Sequence, residues 1–401
     1  MTKTRVLMLG PGEPSILNSG LGKAAFHLAD SISKNVELTV VQPEKLEEFN
    51  ESVQQREFEP QHRTEEFTDY QVLSDIAKFE ITNIIAPYWY LGGTEKVTHE
   101  YTESVVRIKA ETYTKEIIEI VDEIEYDVIY AHDWLTFQAA IELKEKTKLP
   151  LVLHVHSLDH DRNPNMDRSW VFELEQKAFC IADKIICVSN YSKSIIRSVY
   201  GIDGGKINVI YNGFTNRQYK DHQSPFKEKV ILFVGRLTNQ KGPTEFLKIA
   251  EHVHKHYPNS RFIMAGDGEL YQSLIEAGAH SRIAHKFHMT GHLSDDELNK
   301  LYAMADIYCM PSVSEPFGLS ALEAAGAGLP MVISNNSGAS EILEGAISLD
   351  YNDTLGFANE IVKLLKNEKM KHYYSTKNQK VVHSMTWKEA ADQITNIFET
   401  V

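Results

Sequence analysis

Two glutamates that frame a strand, a turn and a helix are the residues of this sequence whose types and spacing best suit chemistry. Glu315 and Glu323 have seven residues between them, in the run EPFGLSALE. Residues 307–310 have the apolar pattern of a buried strand, which the Pro-Phe-Gly turn at 316–318 ends. Strong helix formers begin at Leu319. A helix that starts directly after such a turn presents N–H groups and the positive end of its dipole, which predicts an anion site.

Carboxylates repel a bare phosphate, so their presence at this turn indicates a ligand with hydroxyl-rich parts on either side of its phosphates. A nucleotide sugar has that composition. Glu323, on the helix, would accept hydrogen bonds from a ribose, and Glu315, on the turn, from the transferred sugar. The predicted donor site here also includes Pro316, Phe317, Gly318 and Leu319. The alternative is an ordinary strand-turn-helix unit whose glutamates are solvated.

Two cations follow an earlier predicted strand, and they suit a diphosphate. Residues 230–234 run into Gly235, and Arg236 and Lys241 lie five residues apart on the next loop. Arginine supplies a forked donor and lysine a point charge. The alternative is a pair of solvated cations near a helix start. Two later strand ends, where backbone can pass beside a nucleoside, carry Gly266, Asp267, Gly268, His292 and Leu293.

The first half of the chain also brings polar residues to the carboxyl ends of its strands, where open α/β sheets bind ligands. His156, after the predicted strand at 151–155, is expected in this cleft, although a satisfied strand-end imidazole is the alternative. His154 is expected to face the other way and to be structural. Candidates for contact with an acceptor are His132, Asp133, Trp134, Asp161 and Arg162.

A glycine-rich loop follows the first predicted strand. Gly20 and Gly22 open a helix there, and their small size lets backbone amides approach a phosphate. The loop lacks the G-x-G-x-x-G spacing of a dinucleotide site, and an ordinary turn is the alternative.

Composition limits the class of protein. A chain of 401 residues suggests two domains, since single cores stop growing near ~250–300 residues. The formal net charge of −15 argues against nucleic-acid binding. No apolar run is long enough to span a bilayer, while a peripheral membrane contact stays open. Cys180, Cys187 and Cys309 lie in apolar segments without metal-ligand spacing, so we expect buried reduced thiols and a cytoplasmic location.

The motifs, taken in order, resemble those of glycosyltransferase family 4. They are G-R-L-(x3)-K-G, G-D-G, G-H-L and E-P-F-G-L-(x3)-E. The first loop, through S-G-L-G, is also similar to that of bacterial starch and glycogen synthases, but Leu17 stands where those enzymes carry a lysine. The resemblance implies the GT-B fold, in which two doubly wound, Rossmann-like α/β domains with parallel sheets face each other across a cleft. Residues 1–214 would form the acceptor-side domain, completed by a C-terminal helix at 386–401, and residues 215–385 the donor-binding domain.

The resemblance also implies a reaction. A retaining, metal-independent transferase would move a hexose, with glucose expected first, from a nucleoside-diphosphate sugar such as UDP- or ADP-glucose. The acceptor would be a hydroxyl of a sugar, glycan or glycoconjugate, and no further cofactor is expected. The catalytic set would be His156, Arg236, Lys241 and Glu315. Alternatives are α-glucan elongation of the glycogen or starch synthase type, a GT-B sugar-nucleotide 2-epimerase and a non-catalytic partner subunit.

Overall fold

Runs of apolar and β-branched residues form the strands of two parallel sheets, the composition expected where helices cover both faces of a sheet. The computed structural model describes residues 3–10, 20–43, 76–81, 103–122, 124–162, 168–217, 219 and 224–401. The strands of the first sheet are β1 Arg5–Leu9, β2 Glu37–Pro43, β3 Ile76–Ile81, β4 Val128–His132, β5 Leu151–Val155, β6 Lys184–Cys187 and β7 Ile207–Val209. Those of the second sheet are β8 Lys229–Val234, β9 Ser260–Ala265, β10 Phe287–Gly291, β11 Ile307–Met310, β12 Met331–Ser334 and β13 Ile347–Leu349.

Helices cover both sheets. Those before the second sheet are α1 Gly20–Ile32, α2 Glu103–Val121, α3 Asp133–Thr147, α4 Asp159–Arg162, α5 Trp170–Ile181 and α6 Asn190–Ser198. The others are α7 Pro243–His256, α8 Tyr271–His280, α9 Asp295–Met304, α10 Leu319–Gly326, α11 Ala339–Ile342, α12 Thr354–Lys366, α13 Glu368–Val382 and α14 Trp387–Phe398. Among the residues described, no helix combines the length and the apolar composition needed to cross a membrane.

The order of the strands decides where a ligand fits. The first sheet runs β3-β2-β1-β4-β5-β6-β7 and the second β10-β9-β8-β11-β12-β13. Starting from β1 and from β8, the next strands are therefore added toward one edge of each sheet. Starting from β4 and from β11, they are added toward the opposite edge. The loops that leave these central strands diverge, which opens a crevice at the carboxyl edge of each sheet. The structure confirms the predicted α/β class with two doubly wound parallel sheets.

The last helix belongs to the core of the first sheet. Thr386 and Glu389 cap α14 reciprocally, which starts the helix at Trp387. Ile394 and Phe398 on its apolar face are buried together with Val6 and other residues of the central strands. The chain thus returns to its first sheet after completing the second, as the resemblance implied.

Three expectations need correction or limits. The sequence analysis assigned no strand to residues 44–80, but Ile76–Ile81 forms β3 and pairs with β2. Pairing with that neighbouring strand, and not a local pattern, identifies β3 as part of the sheet. Cys180 is exposed rather than buried, whereas Cys187 and Cys309 are buried as expected. The sequence is rich in Glu and Asp over residues 44–80, and residues 44–75 of this segment lie outside the described residues. Residues 11–19, the first part of the glycine-rich loop, lie outside them as well.

Candidate active site

The loops after β8 and β11 meet at the carboxyl edge of the second sheet. The Val313 N–H donates to the Gln240 carbonyl at 2.9 Å. Beside this contact, Lys241 Nζ lies 2.7 Å from Glu315 Oε2, and the two side chains are only 19% and 8% exposed. An ion pair this sheltered is held more firmly than a surface pair. The structure thus brings together the cation predicted for a diphosphate and the carboxylate predicted for a sugar.

The backbone around Glu315 is also held in place. The Glu315 N–H donates to the Asn336 carbonyl at 2.9 Å, and the Gly338 N–H donates to the Glu315 carbonyl at 3.0 Å. Gly318 then precedes α10 with a φ of 100°, a conformation that side chains rarely allow. The helix begins at Leu319, where its helix formers predicted. Pro316, Phe317 and Gly318 are buried, so they shape the turn from within.

Glu323 lies one turn into α10 and has partners of its own. Its carboxylate accepts from the Tyr302 hydroxyl at 3.1 Å and lies 3.4 Å from Arg217 Nη2. Arg217 also pairs with Asp295 at 3.2 Å. The sequence analysis did not single out this arginine. No local pattern marks it, because its partners are 78 and 106 residues away, as their numbering shows.

The glycines after β9 serve close backbone packing. A Cβ on Gly266 would lie 1.9 Å from the Gly235 carbonyl oxygen, and one on Gly268 would lie 2.6 Å from that of Leu237. The loop that carries Arg236 therefore lies directly against the loop of Asp267. Packing alone accounts for both glycines, and their predicted contact with a nucleoside stays a prediction. His292 is exposed and Leu293 is half-buried at the neighbouring strand end.

In the first domain, three imidazoles form a buried layer. His156 follows β5, and its Nε2 lies 3.0 Å from His132 Nδ1 at the end of β4. The rings of His154 and His156 are stacked, with centroids 4.2 Å apart and planes inclined by 19°. The expectation that His154 faces the other way is wrong. Residues two apart on a strand point to the same face, so the sequence alone was sufficient to predict that His154 and His156 lie side by side.

Asp133 stabilises the backbone next to this layer of imidazoles. It begins α3 with a φ of 54°, and its Oδ1 accepts from the backbone N–H groups of His156 at 2.7 Å and Ser157 at 3.4 Å. Its Oδ2 is buried without a hydrogen-bond partner among the described residues. Burial raises the pKa of this carboxyl to about 7, although the two N–H groups act in the opposite direction. The residue therefore fixes the backbone that carries His156.

Because the pKa of Asp133 is higher in the folded chain, the group should make folding depend on pH. The folded state binds its proton from about pH 4 to about pH 7, where the unfolded chain has released it, so the free energy of unfolding should fall over that window. Asp133→Asn should remove this part of the slope, since asparagine keeps the accepting oxygen and tolerates a positive φ. Urea unfolding of the wild type and of Asp133→Asn between about pH 4 and about pH 7 measures this slope. Equal slopes would mean that the carboxyl is charged throughout.

The same three histidines are the one group of potential metal ligands found among the described residues. Their nearest ring nitrogens all lie within 4.8 Å of one another. However, the planes of His132 and His156 are inclined by only 18°, and those of His154 and His156 by 19°. Imidazole lone pairs lie in the ring plane, so stacked rings do not direct them at one shared ion. Independence from metal stays a prediction.

Contacts between the domains flank Glu315 on both sides. The Ser314 hydroxyl donates to Asp161 Oδ1 at 2.6 Å and lies 2.9 Å from the Tyr191 hydroxyl. The Ser189 hydroxyl donates to the Pro316 carbonyl at 2.6 Å. The carboxyl edges of the two sheets therefore face each other, and the loop of Glu315 lies between them.

The residues predicted to contact an acceptor have other partners in this arrangement. Trp134 packs edge-on against Trp170, with ring centroids 5.3 Å apart. Arg162 donates to the Ser157 hydroxyl at 2.9 Å and lies 3.5 Å from Glu175. His132, Asp133, Trp134 and Asp161 are all buried. Their contact with an acceptor stays a prediction.

The first helix also reaches across the cleft. Gly20 and Gly22 form its first turn, as expected, and the next residue, Lys23, lies 2.8 Å from Asp295 of α9. The predicted approach of these glycines to a phosphate stays a prediction.

Comparison with known proteins agrees with this arrangement. Residues 215–381 match the family described as glycosyl transferases group 1, and residues 93–216 match glycosyltransferase family 4. Both matches are to glycosyltransferases, and they confirm the resemblance to glycosyltransferase family 4. The two matches follow one another along the chain, the family-4 match ending with the first sheet and the group 1 match covering the second.

Curated relatives of this chain have several names. It is 32% identical over 239 residues to an uncharacterized glycosyltransferase of Methanocaldococcus jannaschii, covering 56% of this chain and 61% of the relative. It is 30% identical over 254 residues to the glycogen synthase of Mycobacterium tuberculosis, covering 60% of each. It is 26% identical to D-inositol 3-phosphate glycosyltransferase of Corynebacterium diphtheriae, covering 68% of this chain and 70% of the relative. The matches thus span about three fifths of the first two relatives.

Solved structures share the fold of this chain. Sucrose-phosphate synthase from Thermosynechococcus elongatus superposes with a TM-score of 0.76 at 15% identity, over 99% of both chains. HepE of Anabaena, solved with UDP and glucose, gives a TM-score of 0.68 at 16% identity over 100% of both. At this identity the likeness concerns the fold alone, which is GT-B, as predicted.

Proposed function

We propose that this chain is a retaining, metal-independent hexosyltransferase. It would move glucose from a nucleoside-diphosphate sugar to a hydroxyl of a sugar, glycan or glycoconjugate. The observation that carries this proposal is the Lys241–Glu315 pair, 2.7 Å long, at the switch point of the second sheet. A cation for the diphosphate and a carboxylate for the sugar are side by side there, on a loop that the first domain contacts directly.

In this mechanism the enzyme mainly stabilises charge on the leaving group. The bond from sugar C1 to the diphosphate oxygen breaks, and the acceptor oxygen bonds to C1 on the same face. The proton of the acceptor hydroxyl passes to the departing phosphate oxygen. Arg236, Lys241 and the first turn of α10 would stabilise the diphosphate charge as it develops. Attack on the face that the diphosphate leaves retains the configuration at C1.

Glu315 and Lys241 would change partners when the donor binds. In this structure Lys241 neutralises Glu315. A bound diphosphate would take over the lysine, and the sugar hydroxyls would donate to the carboxylate. His156 would hold the sugar beside the reacting carbon from the other domain. We also place the protein in the cytoplasm, in keeping with its three unbridged cysteines.

Elongation of an α-glucan is a second candidate, because the glycogen synthase of M. tuberculosis is 30% identical to this chain. Leu17, which replaces the lysine of the synthases, is the feature that separates the two candidates. Offering glycogen oligosaccharides and small polyol acceptors to the same enzyme distinguishes them, since an elongating enzyme should lengthen only the glucan.

A thermal-shift screen of nucleoside diphosphates and nucleotide sugars tests the donor part of the proposal. A ligand at ~100 times its dissociation constant should add ~2.7 kcal/mol of stability to the folded state. Product analysis by proton NMR should then show the anomeric configuration of the donor retained. Absence of any stabilising nucleotide, or an inverted product, would overturn the proposal.

Metal independence gives a separate prediction. EDTA should leave transfer activity unchanged, because Arg236, Lys241 and the helix start supply the positive charge that a metal ion would otherwise give. Turnover is measured before and after chelation and dialysis. Loss of activity that Mg²⁺ or Mn²⁺ restores would contradict this assignment.

A further inference from the structure

Two buried imidazoles share one hydrogen bond at the carboxyl edge of the first sheet. His132 Nδ1 and His156 Nε2 are 3.0 Å apart, and the residues are 0% and 8% exposed. Burial lowers the pKa of His156 to about 3 and that of His132 well below its usual value. Both rings are therefore neutral at physiological pH, and each carries a single N–H. A single hydrogen therefore lies between the two nitrogens, and either His132 or His156 is the donor.

The surroundings of His132 favour one direction. His132 Nε2 is buried and has no hydrogen-bond partner among the described residues. A proton on Nε2 would bury an N–H group without an acceptor, and orphaned buried donors are rarer in proteins than orphaned acceptors. A proton on His132 Nδ1 instead donates to His156 Nε2 and leaves only a lone pair without a partner. In that arrangement His156 carries its own proton on Nδ1.

The ring of His156 is also held in this orientation by its neighbour His154. His154 stacks against it with centroids 4.2 Å apart. His154 is itself fixed, because its Nδ1 lies 2.6 Å from the buried Tyr130 hydroxyl. Strand register contributes as well, since His132 pairs directly with His154 between β4 and β5. A rotation of the His156 ring would break both the stack and the bond to His132.

We propose that His132 is a positioning residue that turns His156 Nε2 inward, so that His156 offers Nδ1–H as a hydrogen-bond donor to an oxygen of the donor sugar. This inference rests on the proposed function, in which His156 contacts the sugar. The inference adds that Nδ1 of His156 contacts the sugar and that this nitrogen is a hydrogen-bond donor. It also adds that His132 sets the protonation state of His156. In this role His132 acts through His156 and does not contact the donor sugar.

Two substitutions of His132 separate positioning from a merely structural role. An asparagine amide reaches about as far as imidazole Nδ1, so His132→Asn keeps a donor beside His156. A glutamine amide reaches toward the position of Nε2, so His132→Gln leaves His156 Nε2 without its partner. We expect His132→Gln to lower kcat with the nucleotide sugar about tenfold and His132→Asn to retain most of it. Affinity for the nucleoside diphosphate should be unchanged in both, and exposed His372→Gln serves as the control.

Nitrogen NMR of the histidine-labelled full chain tests the protonation state directly. The signal of His156, assigned from its loss in His156→Gln, should show Nε2 without a proton and Nδ1 with one. A proton on Nε2 overturns the inference, as does wild-type kcat in His132→Gln or an equal loss in His132→Asn. The proposed function fails separately, if the wild-type chain neither binds nor turns over any nucleotide sugar. The NMR result does not depend on that outcome.

Discussion

Lys241→Ala and Arg236→Ala are each expected to lower turnover by a factor of roughly 10²–10³, the scale for loss of one donor that stabilises transition-state charge. Both residues lie on the loop after β8, and Lys241 pairs with Glu315 in the turn that precedes α10. Charge on the diphosphate grows as the bond to the sugar breaks, so their contribution is largest in the transition state. Steady-state kinetics with the nucleotide sugar should therefore show the loss in kcat.

The two variants should differ in stability. Lys241 is the ion-pair partner of Glu315, whose side chain is only 8% exposed. Its removal leaves a sheltered carboxylate without a counter-charge, which is costly. Lys241→Ala should therefore also unfold at a lower temperature, and adding Glu315→Gln should restore stability without restoring turnover.

Lys229→Ala is the matched control for this experiment. Lys229 pairs with Asp306 at 2.8 Å, a similar distance, but it starts β8 and so lies at the opposite end of the sheet from the site. Its loss should leave kcat unchanged. Wild-type turnover in both Lys241→Ala and Arg236→Ala would overturn the assignment of this loop to the diphosphate.

Glu323→Ala and Glu315→Ala are expected to weaken different ligands. Glu323 is proposed to bind the ribose, which every nucleoside diphosphate carries, so its loss should weaken the diphosphate and the nucleotide sugar alike. Glu315 is proposed to bind the sugar, so its loss should impair only the intact donor and its transfer. A hydrogen bond to a charged group is worth ~1.5–3 kcal/mol, so each defect should be about tenfold or more.

Calorimetric titration of both variants with the diphosphate and with the intact nucleotide sugar measures which ligand each glutamate helps to bind. Each glutamate already has a cationic neighbour, Arg217 for Glu323 and Lys241 for Glu315, so both variants also disturb the loop. Exposed Glu276→Ala, on α8, controls for loss of net charge. Equal losses for both ligands in both variants would show that the glutamates hold the loops together and do not divide the donor between them.

The amino-acid sequence by itself determined the local units of this protein. The strand at 307–310, the turn at 316–318 and the helix from Leu319 follow from apolar runs, a proline and strong helix formers, all of which act within a few residues. The start of α14 follows in the same way from the capping pair Thr386 and Glu389. Because these units alternate as strand and helix, the sequence also determined that the sheets are parallel and that their loops gather at one edge.

Tertiary structure decided which side chains meet at that edge. Lys241 and Glu315 are 74 residues apart, and Ser314 and Asp161 are 153 apart, so their contacts depend on strand order and on how the domains face each other. The bond between His132 and His156 depends on the register of β4 and β5 and on ring rotamers. Arg217 reaches Glu323 from a segment without regular structure. Such contacts join distant parts of the chain, and local propensity and periodicity carry no information about them.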